Sequence, residues 1–158
     1  MGLRKLFAER ADQRRRSAEK QAQEIDARRT APFQSVLDDA ETIVQYTPAR
    51  DRGGRLSYLA ATPRRLLWYL DGTSMAESIP YKTIQAFGFD PRRRLVFVRY
   101  LQRTPLSTED PYEDQMWELF PSPLSDQVLE AILTGMRTAG TLEAATAAFI
   151  ALSKPTGI

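Results

Sequence analysis

Between Leu56 and Val98 the chain reads as short apolar runs, rich in β-branched and aromatic residues, cut at regular intervals by Asp71-Gly72, Ile79-Pro80 and Asp90-Pro91. A helix cannot carry that many breakers at that spacing, so the segment predicts an antiparallel meander. Continued in both directions, the same reading gives seven strands with cores at Thr42–Tyr46, Leu56–Ala61, Leu66–Leu70, Ala76–Ile79, Ile84–Phe89, Leu95–Leu101 and Gln115–Phe120. Alternation sets Leu56, Tyr58 and Ala60 on one face of the second strand, and Trp117 and Leu119 against Met116, Glu118 and Phe120 in the last. One face of the sheet is therefore expected to be core.

A helix follows the last strand. Ser122 stands as N-cap and Pro123 at the first helical position, where a missing N–H costs nothing. Leu124, Val128, Leu129, Ile132, Leu133 and Met136 form an apolar stripe, and Gly140 supplies the stop. Such a helix needs a sheet to cover. A second apolar segment, Leu142–Leu152, carries Leu142, Ala145, Phe149 and Leu152 near one face; it predicts a helix docked on the domain, with a surface for a second copy or another partner as the alternative.

Two short motifs sharpen the fold. Thr62-Pro63-Arg64-Arg65-Leu66-Leu67 and Ser78-Ile79-Pro80-Tyr81-Lys82-Thr83-Ile84 resemble the strand-to-turn "Thr-x-x-Arg-Leu" and the "x-Ile-Pro-Tyr-x-x-Ile" pieces of the bacterial PH-like (pleckstrin-homology-type) domain family, in the same order and spacing, over about Phe33 to Arg137. The resemblance implies a mainly β fold with added helix: a PH-like seven-stranded antiparallel barrel capped by a C-terminal helix. The residues also have local reasons. Thr62 and Pro63 suit a tight turn, Arg64 and Arg65 are expected to keep it wet, and Pro80 ends a strand where a ladder donor can be spared.

The remaining segments give a domain plan of a basic N-terminal helical arm at 1–31, the PH-like domain at 32–138, and a C-terminal helix and tail at 139–158. Residues 1–30 hold nine Lys/Arg and five Asp/Glu, a net of +4; since the whole chain is +2, the other 128 residues carry −2. Few breakers occur before Thr30-Ala31-Pro32, so Leu3 to Arg28 predicts one long helix. Ala11, Ala18 and Ile25 repeat every seven residues, but Arg14 and Arg15 interrupt any coiled-coil seam. Phe33–Glu41 then reads as a short helix or turn with Phe33, Val36 and Leu37 facing inward and Asp38 and Asp39 exposed.

A helix with so thin an apolar face has three uses besides standing in solvent. Leu3, Leu6 and Phe7, followed by Arg10, Arg14 and Arg15, make it a candidate protein-binding arm, for another protein or for self-association. Laid on an anionic membrane, the same residues would insert the apolar end and meet lipid charge with the basic face. Binding of nucleic acid is disfavoured by the interspersed acids and by the lack of aromatics after Phe7.

Within the domain, Arg50, Arg52 and Arg55 sit in the loop between the first two strands. The resemblance implies an anion-binding role there, since eukaryotic phosphoinositide-binding PH domains carry basic residues in the corresponding loop. Arg92, Arg93 and Arg94 occupy another turn and either complete one basic rim or discourage edge pairing. The acidic run Glu109-Asp110-Pro111-Tyr112-Glu113-Asp114 lacks the spacing and the turn glycine of a calcium loop and reads as a solvated connection.

Chemistry is nearly excluded. The 158 residues contain no histidine and no cysteine, so the commonest general base, the best nucleophile and the thiolate metal sites are missing. No phosphate-binding glycine loop or nucleophile elbow occurs. No enzyme activity and no cofactor are therefore expected. The lack of cysteine and of a signal peptide predicts a cytoplasmic chain, with membrane association through the arm as the alternative. Met1-Gly2-Leu3-Arg4-Lys5-Leu6 does not match a myristoylation signal, and no run reaches the roughly 20 apolar residues of a membrane span.

Overall fold

The computed structural model describes residues 2–102 and 110–153. Helix α1 (Gly2–Gln34) leads into strands β1 (Gln45–Asp51), β2 (Leu56–Ala61), β3 (Arg65–Leu70) and β4 (Glu77–Pro80). A single 3-10 turn (Tyr81–Thr83) connects to β5 (Ile84–Asp90), β6 (Leu95–Leu101) and β7 (Tyr112–Leu119), followed by helices α2 (Pro123–Ala139) and α3 (Leu142–Ser153). All seven strands form one antiparallel sheet in the order β4-β3-β2-β1-β7-β6-β5. The sheet is not closed: β4 and β5 are its two edges, and the expected barrel is an open sheet with helices packed on its strands.

The inner core lies between the sheet and α2. Leu59, Leu66, Ile79, Val96, Val98, Trp117 and Leu119 meet Val128, Ile132 and Met136 there. The α2 caps are those the sequence predicts. The Ser122 hydroxyl accepts from the Ser125 N–H at 3.2 Å, and Gly140 adopts the left-handed conformation at φ 78°. Thr47 and Ser125 hydroxyls, 3.1 Å apart and buried, tie the start of α2 to β1. Leu124 falls off the stripe and is exposed. Gly135, an unfavourable residue in mid-helix, is explained by Tyr81: a Cβ at Gly135 would stand 2.1 Å from the Tyr81 ring. The Tyr81 hydroxyl donates to the Thr62 carbonyl at 2.8 Å, and burial pushes its pKa up.

Three elements differ from the sequence reading by more than one residue. The first strand is Gln45–Asp51 rather than Thr42–Tyr46, because Pro48 does not break it. In the antiparallel register, odd-numbered residues of β1 bond to β2, as Asp51 N–H to Arg55 O shows, so the missing Pro48 N–H would point toward β7, whose ladder begins only at Ala49. The last strand starts at Tyr112, where the Arg99–Asp114 ion pair at 2.7 Å holds polar residues in the ladder. Helix α1 runs through Pro32 to Gln34 instead of ending before it. Pro32 and Phe33 are buried there, and the Tyr69 hydroxyl donates to the Arg29 carbonyl. That burial offsets the hydrogen bond lost at proline.

The docking of α1 also makes a second core. Phe33 lies on the outer face of β2 and β3 against Tyr58, Ala60, Leu67 and Tyr69, its ring 4.9 Å from that of Tyr69. Strand β2 is therefore covered on both faces, with Leu59 and Ala61 inward and Tyr58 and Ala60 under the helix end, where one core face was expected.

Helix α3 docks at home as predicted. Ala145 joins the inner core, while Phe149 lies over Gly88 and 5.6 Å from the Phe97 ring on the opposite face of β5 and β6. The helix thus straddles and shields the β5 edge.

Candidate functional site

Helix α1 is anchored at one end only. Every residue from Gly2 to Arg29 is exposed, a length of about 40 Å at 1.5 Å per residue. Its far end presents Leu3, Leu6 and Phe7, with Phe7 62% exposed. Arg10 and Arg14 have no ion pair among the described residues, whereas Arg15 pairs with Asp12 at 3.1 Å.

Charge on this helix is segregated. At 100° per residue, Arg4, Arg10, Arg14, Arg15, Arg28 and Arg29 fall within one arc about 140° wide that also holds Leu3, Phe7 and Ile25. All five acids, Glu9, Asp12, Glu19, Glu24 and Asp26, fall outside that arc, beside Lys5, Arg16 and Lys20. That face is therefore free of acids along its whole length, with arginines at its two ends and Ala18, Gln21 and Ala22 between them, while Leu6 falls on the mildly acidic back. At the anchored end these groups are already engaged. Arg29 lies 5.7 Å from the Tyr58 ring centroid, and the Tyr46 hydroxyl donates to Asp26. Burial, reinforced by that carboxylate, pushes the Tyr46 hydroxyl up to about 12.

The predicted basic rim is divided. Arg50 and Arg94 come to adjoining rows beside the end of β7, since Arg50 pairs with Glu118 and Arg94 with Leu119. Both are engaged: Arg50 stands 5.3 Å over the Phe120 ring, and Arg94 bonds Asp126 at 2.9 Å and the Leu119 carbonyl. Arg52 and Arg55 lie beyond the other end of that row, past Asp51. Arg55 is held by Asp51 at 3.1 Å, and Arg52 is exposed without an ion pair among the described residues. Arg92 and Arg93 are exposed in the β5–β6 turn, which Asp90 closes by accepting the Arg92 N–H at 2.9 Å. Of the acidic run, Glu109 lies outside the described residues; Asp110, Glu113 and Asp114 are exposed, as expected.

The Thr62–Arg65 turn carries a group the sequence reading missed. Arg65 is drawn inward, contrary to the expected wet turn, and its Nε lies 3.0 Å from each Glu41 oxygen while Nη2 reaches the Val36 carbonyl. Thr62 adds a 2.8 Å hydrogen bond to the same carboxylate. Burial alone would raise the Glu41 pKa, but the hydrogen bonds from Arg65, Thr62 and the Asp38 N–H outweigh it and hold the carboxyl below the usual range. Its partners are all internal, so the group clamps the segment after α1 to the β2–β3 turn. Arg64 remains exposed.

No helix among the described residues is long and apolar enough to cross a membrane. No protein-family model matches the chain, and no curated protein matches it in sequence.

Proposed function

We propose that this chain is a non-enzymatic, PH-like binding module that holds a protein assembly together, with α1 as the arm that engages an acidic partner. The observation that carries this reading is the arm itself: 28 exposed residues, anchored through Pro32 and Phe33, with an acid-free face that bears arginines at both ends and apolar side chains among them. A free helix of this composition gains little from its own domain, and its order is best used when a partner covers it. The order of strands and the α2 helix laid on the sheet support the PH-like assignment.

The test is Leu6→Asp with Phe7→Asp. Capture of partners from the native lysate should be lost while the melting temperature stays within about 1 °C, because neither side chain touches the domain. Unchanged capture would remove the arm from the interface. The acid-free face also favours a second reading, peripheral attachment to an anionic membrane, in which the arginines flank Leu3 and Phe7 at the headgroup level. Release of the purified variant from vesicles containing phosphatidylserine, with no other protein present, would select that reading.

A further inference from the structure

The edge of β4, unpaired among the described residues, faces a cleft of about 910 Å³, lined by the β2–β3 turn, the 3-10 turn, the end of β6 and α2. Its lining holds three cations, Arg64, Arg65 and Lys82, against two carboxylates, Asp38 and Glu41, a net of +1. Glu41 and Arg65 at its floor neutralise each other, and Asp38 stands exposed at its margin. That leaves Arg64 and Lys82, whose side chains have no hydrogen bond or ion pair among the described residues. The two are neighbours in register, since Tyr81 N–H bonds Arg64 O and Lys82 follows directly.

The ladder supplies a third donor. Because Tyr81 bonds to β3, the odd residues Glu77, Ile79 and Tyr81 spend their backbone groups on β3, and Ser78 directs its N–H away from the sheet. At Pro80, the next outward position, there is no N–H, and its carbonyl is taken by the Thr83 hydroxyl at 2.7 Å. An added strand would therefore find a single usable residue, and the edge is a poor template for pairing. A small acceptor fits better: the cleft offers a guanidinium, an ammonium and one backbone N–H, beside apolar wall from Pro63 and Leu101.

We propose that the cleft binds a small organic oxyanion, its acidic group held by Arg64 and Lys82 with the Ser78 N–H, and its uncharged body along the prolines and Leu101. The volume exceeds that of an acidic group alone and falls in the range of small-molecule sites. Charge-assisted bonds from Arg and Lys supply the affinity, and the fixed N–H supplies orientation. The site is separate from both the arm and the arginine loop before β2, since that loop and the Thr62–Arg65 turn lie at opposite ends of the strand.

The experiment titrates the isotope-labelled full chain with inorganic phosphate and, separately, with succinate, following backbone amide shifts. Saturable shifts at Ser78, Arg64 and Lys82 are expected with one or both probes, and which probe saturates tells whether the group is a phosphate or a carboxylate. Arg64→Ala with Lys82→Ala, both exposed and so expected to leave melting unchanged, should weaken binding by about tenfold or more. Arg52→Ala with Arg55→Ala should leave it unchanged. Absence of saturable shifts at the cleft, equal binding by the Arg64/Lys82 variant, or shifts that follow the α1 arginines instead would overturn the proposal.

Discussion

Glu41 shows how much one side chain can hold. It is buried, and Arg65 bonds it while also reaching Val36, so Glu41→Ala leaves a guanidinium without its counter-charge and should cost about 3 kcal/mol in chemical denaturation. Its depressed pKa gives the pH direction. Stability from this group is fully present above the ordinary glutamate range and is lost as pH falls through the folded value. The wild type should therefore lose stability below about pH 4.5, and the Glu41→Ala variant should lack that component of the acid slope. Trp117 is the other extreme, fully buried and held by volume alone, with an indole N–H that has no partner among the described residues. Trp117→Ala should destabilise by about 3–5 kcal/mol, measured by denaturant midpoint at constant slope. The position of Trp117 was legible from alternation. The Glu41–Arg65 pair was not, because 24 residues separate two charges that follow no period.

At the scale of elements, the helix ends mark where local signals lose to tertiary ones. Ser122, Pro123 and Gly140 fixed α2 to the residue because a cap is a local event. Pro32 misled for the opposite reason: it breaks its helix by local rules and is tolerated because Phe33 beside it reaches the outer face of β2 and β3, much as Pro48 is accepted inside β1 because the β7 ladder begins one residue later. The α1 boundary has a measurable consequence. Removal of residues 1–29 should leave a cooperatively unfolding domain, since all of those side chains described are exposed. Removal through Gln34 strips Phe33 from Tyr58 and Tyr69 and should lower stability by about 3 kcal/mol or more. Similar melting of the two truncated forms would show that the outer core contributes nothing. Of the candidate site, the exposed arm was readable in advance as basicity with little apolar face. The cleft was not, since Arg64, Ser78 and Lys82 meet only through the register of β3 and β4.

For the molecule as a whole, the meander and its covering helix were written in the turn residues, whereas closure was not, because the pattern of a strand says which face is core and nothing about which edge finds a mate. What results is two plates, β4-β3-β2-β1 and β7-β6-β5, joined by three residue pairs from Ala49 to Asp51, against six pairs between β1 and β2 and seven between β6 and β7. A sheet under load parts where its rungs are fewest. Here the short join is wedged from inside by Trp117 and Leu119 and braced across by α2, while the far rims of the plates, at β4 and β5, share no rung among the described residues. Load carried along α1 enters the plate that holds β2 and β3 and crosses to the other by the three rungs, by α2 packed over them and by the 3-10 turn that runs from β4 straight into β5.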